Sequence, residues 1–63
     1  MIKINKLIEN ELIKENKELG IYTSQGAVIG DSEFVIVIEA NNIYLAHRSE
    51  FIFDGVFVKL RGE

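Results

Sequence analysis

The sequence predicts an α+β, mostly β fold in which an N-terminal helix packs on a twisted antiparallel β-meander of four to five strands. Three observations lead to this class. Apolar residues recur at helical spacing near the N-terminus, and their period changes to two after residue 20. Two tight-turn signals, Asn41-Asn42 and Asp54-Gly55, separate runs of β-branched and aromatic residues. We therefore expect one domain over residues 1–63, with the helix over about 4–18 and the meander over about 20–61.

The N-terminal segment carries the helical pattern. Its apolar residues fall within about 140° of arc on a helical projection, and they are Ile4, Leu7, Ile8 and Leu12. Gly20 is expected to end the helix in the left-handed conformation. Residues 2–5 allow an alternative, because apolar and polar side chains alternate there as they do in a short strand. The acidic positions are expected to form a solvated face, comprising Glu9, Glu11, Glu15 and Glu18.

The strands follow in order after residue 20. Residues 21–23 and 27–29 are predicted to be strands joined by a turn at 24–26, and residues 30–32 interrupt the pattern. Residues 34–38 are apolar at every position, which is typical of a strand covered on both faces. We expect this strand to lie in the middle of the sheet.

The two turn signals predict the pairing of the later strands. A two-residue turn at Asn41-Asn42 places Ile38 opposite Leu45 and Ile36 opposite His47. A second turn at Asp54-Gly55 places Phe51 opposite Val58, and Glu50 opposite Lys59. Since facing residues share a side of the sheet, one face should be apolar and covered by the helix. The residues of this face are Phe34, Ile36, Ile38, Ile43, Leu45, Phe51, Phe53, Val56, Val58 and Leu60.

The second face mixes apolar and charged side chains: Val35, Val37, Glu39, Tyr44, Ala46, Arg48, Glu50, Ile52, Phe57, Lys59 and Arg61. Its apolar members predict either closure of the sheet into a small barrel or burial against another chain. A chain of 63 residues has a marginal core and usually needs further stabilisation by disulfides, a structural metal or a partner subunit. With no cysteine and one histidine, disulfides and a structural metal are disfavoured, so we expect a homo-oligomer.

Composition narrows the function classes. The formal charge of −3 and the pI near 5.1 give no basic field for nucleic acid phosphates. A hydrophobic content of 48% argues against disorder. No signal-peptide core and no 18-residue apolar run are found, so no membrane association and a cytoplasmic location are expected. No motif in the sequence indicates a cofactor.

Few residues are candidates for a site. His47 is expected to be a hydrogen-bonded structural histidine or one at the sheet margin, because no nucleophile or acid stands at a triad spacing from it. Residues 26–30 are interpreted as turn glycines and not as a phosphate loop, because the Lys-Ser/Thr pair is missing. The tentative binding surface lies on the second face and comprises Tyr44, Arg48, Glu50, Ile52, Phe57 and Arg61.

Arg48 and Glu50 also have a structural interpretation, in which Glu50 pairs with Lys59 across the strands and Arg48 extends along the surface. The function that these patterns favour is non-enzymatic. We expect a small cytoplasmic accessory or inhibitor protein that acts through protein–protein contacts as a homo-oligomer. A hydrolytic enzyme would come back into consideration if His47 were exposed in a cleft and hydrogen-bonded to a serine or threonine.

An alternative comes from a resemblance. The residues that carry this resemblance are Gly30 before a strand, Asn42 after it, and Leu60-Arg61-Gly62. Together with the order of elements, a helix followed by a β-meander, they resemble the layout of Sm-like proteins. The resemblance covers residues 4–62 as an arrangement of elements, and Ile38 stands where Sm-like chains carry an aspartate. It implies an oligomeric small β-barrel that binds a nucleotide or RNA at subunit interfaces, with contacts from Asn42, Tyr44, Arg48 and Arg61.

Overall fold

The computed structural model describes residues 1–28, 30–53 and 58–61. It confirms the α+β, mostly β class with one N-terminal helix. The elements in chain order are β1 (Ile2–Ile4), α1 (Lys6–Glu15), β2 (Gly20–Thr23), β3 (Gly26–Val28), β4 (Phe34–Glu39), β5 (Asn42–His47), a one-turn 3-10 helix (Arg48–Glu50), β6 (Phe51–Phe53) and β7 (Val58–Leu60).

The strands form a five-stranded sheet in the order β1-β5-β4-β2-β3 and a separate β6-β7 hairpin. The prediction that the apolar strand lies mid-sheet is confirmed, because β4 is the third of the five. Two details of the predicted meander are wrong: β2 runs parallel to β4, and the β6-β7 hairpin leaves the sheet. Closure into a barrel is also wrong, since the described residues pair no further strand with β1 or β3.

The parallel pairing follows from a contact between two loops. The backbone N–H of Ser32 donates to the Glu18 carbonyl, at 3.0 Å, which holds the start of β4 beside the start of β2. Gly20 then lies opposite Val35, and the two strands run in the same direction. Gly30 makes the approach close, because a Cβ built on it would lie 2.0 Å from the Glu18 carbonyl oxygen. Only glycine fits there without a shift of the backbone.

Helix α1 is shorter than predicted at both ends. It begins at Lys6 because the Asn5 side chain caps it, accepting the Ile8 backbone N–H at 2.9 Å. Residues 2–4 form β1, so the alternative interpretation of this segment as a short strand is confirmed. The C-terminal cap is Asn16. The prediction that Gly20 ends the helix is wrong, since Gly20 is the buried first residue of β2.

Both predicted registers are wrong by two residues. Ile38 lies opposite Ile43, and His47 lies opposite Phe34, so the β4-β5 turn is centred on Ala40 and Asn41. In the β6-β7 hairpin Phe51 lies opposite Leu60, while residues 54–57, with the predicted Asp54-Gly55 turn, lie outside the described residues. A shift of two keeps every side chain on its predicted side, so the apolar pattern could not distinguish the registers.

One face of the sheet is covered by the chain's own hairpin. Phe51 is 2% exposed and packs with the buried side chains Val35, Val37 and Ala46. The Phe51 ring centroid lies 5.2 Å from that of Tyr22. This corrects the prediction that Phe51, Val58 and Leu60 share a face with Ile36, because Val58 and Leu60 also pack against this cluster. Val35, Val37 and Ala46 of the second face are therefore buried within one chain.

The physical reason for the correction is the 3-10 turn that follows β5. The His47 Nδ1 accepts the Ser49 backbone N–H at 3.0 Å, and Glu50 Oε2 accepts the His47 backbone N–H at 2.7 Å. These reciprocal bonds form a capping box that interrupts the strand. The chain after Glu50 folds over the sheet instead of extending it.

The opposite face carries an apolar row that crosses all five strands. Pairing aligns Ile2, Leu45, Ile36, Ile21 and Val28 in one line. Ile36 at its centre is fully buried. Because β1 and β2 run in the same direction with two strands between them, α1 lies in the crossover connection that joins them. We call the line of five side chains the apolar row.

The inward side of α1 differs from the predicted stripe. Leu12 is half-buried, but Leu7 is 77% exposed. Glu9 is buried, so its assignment to a solvated face is wrong. The Lys6 Nζ lies 2.7 Å from Glu9 Oε1, which explains how a carboxylate persists there. A residue assigned to the solvated face is thus buried, whereas Leu7 of the predicted apolar stripe is exposed.

Candidate interaction surface

Two residues of the predicted binding surface are engaged within the chain. Tyr44 is half-buried against the cluster under the β6-β7 hairpin. The Arg48 guanidinium donates a hydrogen bond to the Gly30 carbonyl and lies 5.0 Å from the centroid of the Phe53 ring. Arg48 therefore ties the loop before β4 to the hairpin through this hydrogen bond and a cation–π contact.

Glu50 and Arg61 also hold the 3-10 turn in place. Besides the His47 N–H, the Glu50 carboxylate binds the N-terminal ammonium of Met1, with Oε1 at 3.0 Å. These contacts lower the pKa of Glu50, chiefly through the His47 backbone hydrogen bond and next through the ammonium. Arg61 Nε donates to the Ser49 carbonyl at 2.8 Å. The predicted pairing of Glu50 with Lys59 is wrong, since Lys59 lies opposite Ile52.

The remaining predicted contact residues are Ile52 and Phe57. Ile52 is exposed, on the side of β6 that faces away from the buried Phe51. Phe57 lies outside the described residues. The binding role of the six residues stays a prediction. The structure brings Arg48, Glu50 and Arg61 together around the 3-10 turn and gives each of them an intrachain partner.

His47 lies at the sheet margin, which is one of the two settings predicted for it. Its side chain is exposed and hydrogen-bonded. Its Nδ1 lies 2.8 Å from Ser49 Oγ, and its Nε2 lies 3.7 Å from Glu33 Oε2. The ring packs edge-on against Phe34, with centroids 6.1 Å apart. It also borders a shallow cleft of about 330 Å³ with Ile2 and Phe34 in its wall. The stated condition for reconsidering a hydrolytic enzyme is therefore met.

The chemistry of this cluster nevertheless favours a cap over a catalytic triad. A general base needs a free nitrogen lone pair for the hydroxyl proton. The Nδ1 lone pair of His47 already accepts the Ser49 backbone N–H at 3.0 Å, which assigns the proton to Nε2. Glu33 is largely exposed, so water screens its carboxylate from the imidazole. The contact between His47 and Ser49 is local, spanning two residues.

Sequence reasoning missed the exposed apolar residues at the ends of the apolar row. Ile2 is 67% exposed at the β1 edge, and Val28 is 73% exposed at the β3 edge, with Ile21 beside it at 38%. Phe34 is also exposed on the same side. A signal was present in the sequence, because the nine residues from Gly20 to Val28 contain no charged side chain in a chain that is 27% charged.

The part of the chain that the structure describes contains neither a cluster of metal-ligating side chains nor a membrane-spanning helix. Within residues 1–28, 30–53 and 58–61, no three His, Cys, Asp or Glu side chains are grouped as a metal site. Helix α1 and the 3-10 turn, the helical elements of that part, are too short or too polar to cross a bilayer. No protein family, curated protein or solved structure with which the chain was compared matches it.

Proposed function

We propose that this chain is a small, non-enzymatic cytoplasmic binding protein that acts through contact with another protein chain. The single observation that carries the proposal is the apolar row, which is buried at its centre and exposed at both ends. Contiguous exposed apolar side chains are typical of interaction surfaces, and Ile21 and Val28 are neighbours at the β3 end of the row.

The location of the exposed apolar side chains supports this function. The hairpin covers Val35, Val37 and Ala46 on the other face, and the exposed apolar side chains lie at the β1 and β3 edges, on α1 and on β6. On α1 the exposed members are Leu7, Ile8 and Ile13. An accessory or inhibitor role needs only such a surface on a stable scaffold, and the buried centre of β4 supplies the scaffold.

The charge balance and the ion contacts favour a protein partner over a nucleotide or RNA. The net charge is −3, and Arg48 and Arg61 already donate to backbone carbonyls. Phosphate recognition depends on guanidinium or ammonium groups with free donors in the site. The Sm-like alternative would need Tyr44 at a subunit interface, and Tyr44 packs under the hairpin.

The test is the recovery of partners by an affinity-tagged chain, with a matched pair of variants. Val28→Lys adds a charge at the exposed end of the apolar row, whereas Ser24→Lys adds the same charge in the β2-β3 turn. We expect the wild type and Ser24→Lys, cross-linked before capture so that weak complexes survive washing, to retain the same protein, and Val28→Lys to lose it. Retention by all three variants, or recovery of no protein chain by the wild type, would contradict the proposal.

A further inference from the structure

We propose that the partner is a second copy of this chain, joined through antiparallel pairing of the two β3 strands. This inference rests on the proposed function and names the occupant of the surface. The pairing is a two-fold contact centred on Ala27, so that Val28 of each copy lies opposite Gly26 of the other. It would extend the five-stranded sheet across the dimer.

The backbone of β3 presents hydrogen-bonding groups on the side where this contact would form. The two-residue turn at 24–25 makes Thr23 and Gly26 the first bonded pair of the hairpin. Thr23 Oγ1 also donates to the Gly26 carbonyl, at 3.0 Å. Since bonded and non-bonded positions alternate along an antiparallel ladder, the N–H and carbonyl of Ala27 point away from β2. Two copies related by a two-fold axis can exchange these groups as a pair of hydrogen bonds.

The side chains along the edge are complementary under the same symmetry. Val28 is the most exposed member of the apolar row, at 73%. Gly26 lies on the same side of β3, and a Cβ built on it meets nothing within 4 Å. Its φ of +147° favours glycine, so the space stays open. The two-fold pairing places Val28 of one copy over the open space at Gly26 of the other.

The distribution of charged residues favours β3 over β1 as the edge strand that pairs with the second copy. Proteins commonly protect an edge strand with a charged residue, a proline or a bulge. β1 carries Lys3, and a two-fold contact there would bring two lysines together. β3 and its neighbour β2 carry no charge, and the chain contains no proline. The three-residue strand limits the contact area, so we expect a dissociation constant on the order of 100 µM.

Sedimentation velocity from 10 µM to 1 mM provides the first test. We expect the wild type and Ser24→Lys to pass from monomer to dimer, with Val28→Lys weakening the dimer at least tenfold. Circular dichroism and the urea midpoint show whether each variant is folded. A wild type that stays monomeric at 1 mM, or equal dimerisation of folded Val28→Lys, would overturn the proposal.

A disulfide test checks the register without depending on a loss of function. The chain has no cysteine, so Ala27→Cys introduces one thiol. Residues opposite each other in a bonded antiparallel pair have Cα atoms about 5.5 Å apart, within the range that a disulfide spans. Oxidation should link Ala27→Cys into dimers at least about tenfold faster than Ser24→Cys. Equal rates for the two variants would overturn the pairing.

The two proposals fail in different ways. If sedimentation shows a monomer while the tagged wild type still retains another protein that Val28→Lys loses, the second-copy inference is wrong and the binding function stands. If the tagged wild type retains no other protein and does not dimerise, both are wrong.

Discussion

Replacing Phe51 by alanine should remove most of the stability of this domain. Phe51 is 2% exposed, joins the cluster on β4 and β5, and packs on the Tyr22 ring at 5.2 Å. Truncation of a buried phenylalanine costs about 3–5 kcal/mol. A folded chain of 63 residues has a free energy of unfolding of roughly 3–9 kcal/mol. A loss of about 4 kcal/mol leaves a free energy of unfolding between about −1 and 5 kcal/mol, which is less than half of the original value for a domain in the middle of that range.

Phe53 is the matched control, because it is the same residue type on the same strand. It is 43% exposed, so its truncation removes about half of the burial and a cation–π contact with Arg48. We expect a loss of about 1.5 kcal/mol. Urea unfolding followed by circular dichroism measures both variants, and the slope should stay near the wild-type value. Equal losses for the two variants, or a loss below about 1.5 kcal/mol for Phe51→Ala, would refute the hairpin as the cover of this face.

Four further predictions follow from the described contacts. Ala40 has a φ of 55° in the β4-β5 turn, so Ala40→Gly should raise the free energy of unfolding by about 0.5–1 kcal/mol in urea titrations; a decrease would contradict the turn. Glu9 is buried with Oε1 unbonded apart from its ion contact with an exposed lysine, so Glu9→Leu should stabilise the domain by about 1 kcal/mol, as thermal unfolding would show. The folded-state pKa of Glu50 is lowered, so its contribution is present above the unfolded value of about 4.3 and is lost as pH falls through the folded value. Glu50→Gln should consequently be less stable than wild type at pH 7, with a gap that closes as pH falls through the folded-state pKa of Glu50, and a gap that stays constant on acidification would be inconsistent. Because Ser49 belongs to a cap, hydrolysis of p-nitrophenyl acetate should be the same for wild type and Ser49→Ala, and a burst of nitrophenol that only the wild type gives would restore the enzyme hypothesis.

The position of the central strand was predictable because its consecutive apolar residues indicate burial on both faces. Residues 34–38 are apolar without interruption, and β4 lies mid-sheet with Val35, Ile36 and Val37 buried. Their alternation also assigned side chains of β4 and β5 to the correct faces. Periodicity of two contains this information and does not depend on which turn closes the hairpin.

The turn chemistry predicted the β4-β5 turn at the wrong residues. Asn41 and Asn42 tolerate positive φ better than alanine, yet Ala40 adopts it. The observed register pairs all six residues of β4 with all six of β5, from Glu39 and Asn42 to Phe34 and His47. The complete ladder outweighs about 1–2 kcal/mol of left-handed strain at one alanine.

The path of the hairpin could not be predicted from local pattern. It depends on the hydrogen bonds that join His47 to Ser49 and to Glu50, and on the contacts of Arg48 with Gly30 and Phe53. These contacts are partly local, but the one between Arg48 and Gly30 joins residues 18 apart in the sequence, whose proximity only the folded chain provides. They also explain why the predicted binding residues Arg48, Glu50 and Arg61 are close in space while their polar groups are engaged within the chain.

The exposure of the β3 edge could not be predicted from the sequence, for a different reason. An exposed valine in an alternating strand is unremarkable in a sequence, and its exposure at 73% depends on β3 being the last strand of the sheet. That position results from the parallel pairing of β2 with β4. The sequence indicated the absence of charge from Gly20 to Val28 but not the edge on which it falls.

Amide hydrogen exchange measured residue by residue at low protein concentration tests most directly whether the chain shelters β4 on both faces by itself. The account predicts that the amides of Val35, Ile36 and Val37 exchange only through global unfolding, while those of Lys3 and Ala27 on the edge strands exchange far faster. Exchange of the Val35 and Val37 amides as fast as that of the edge strands would contradict it.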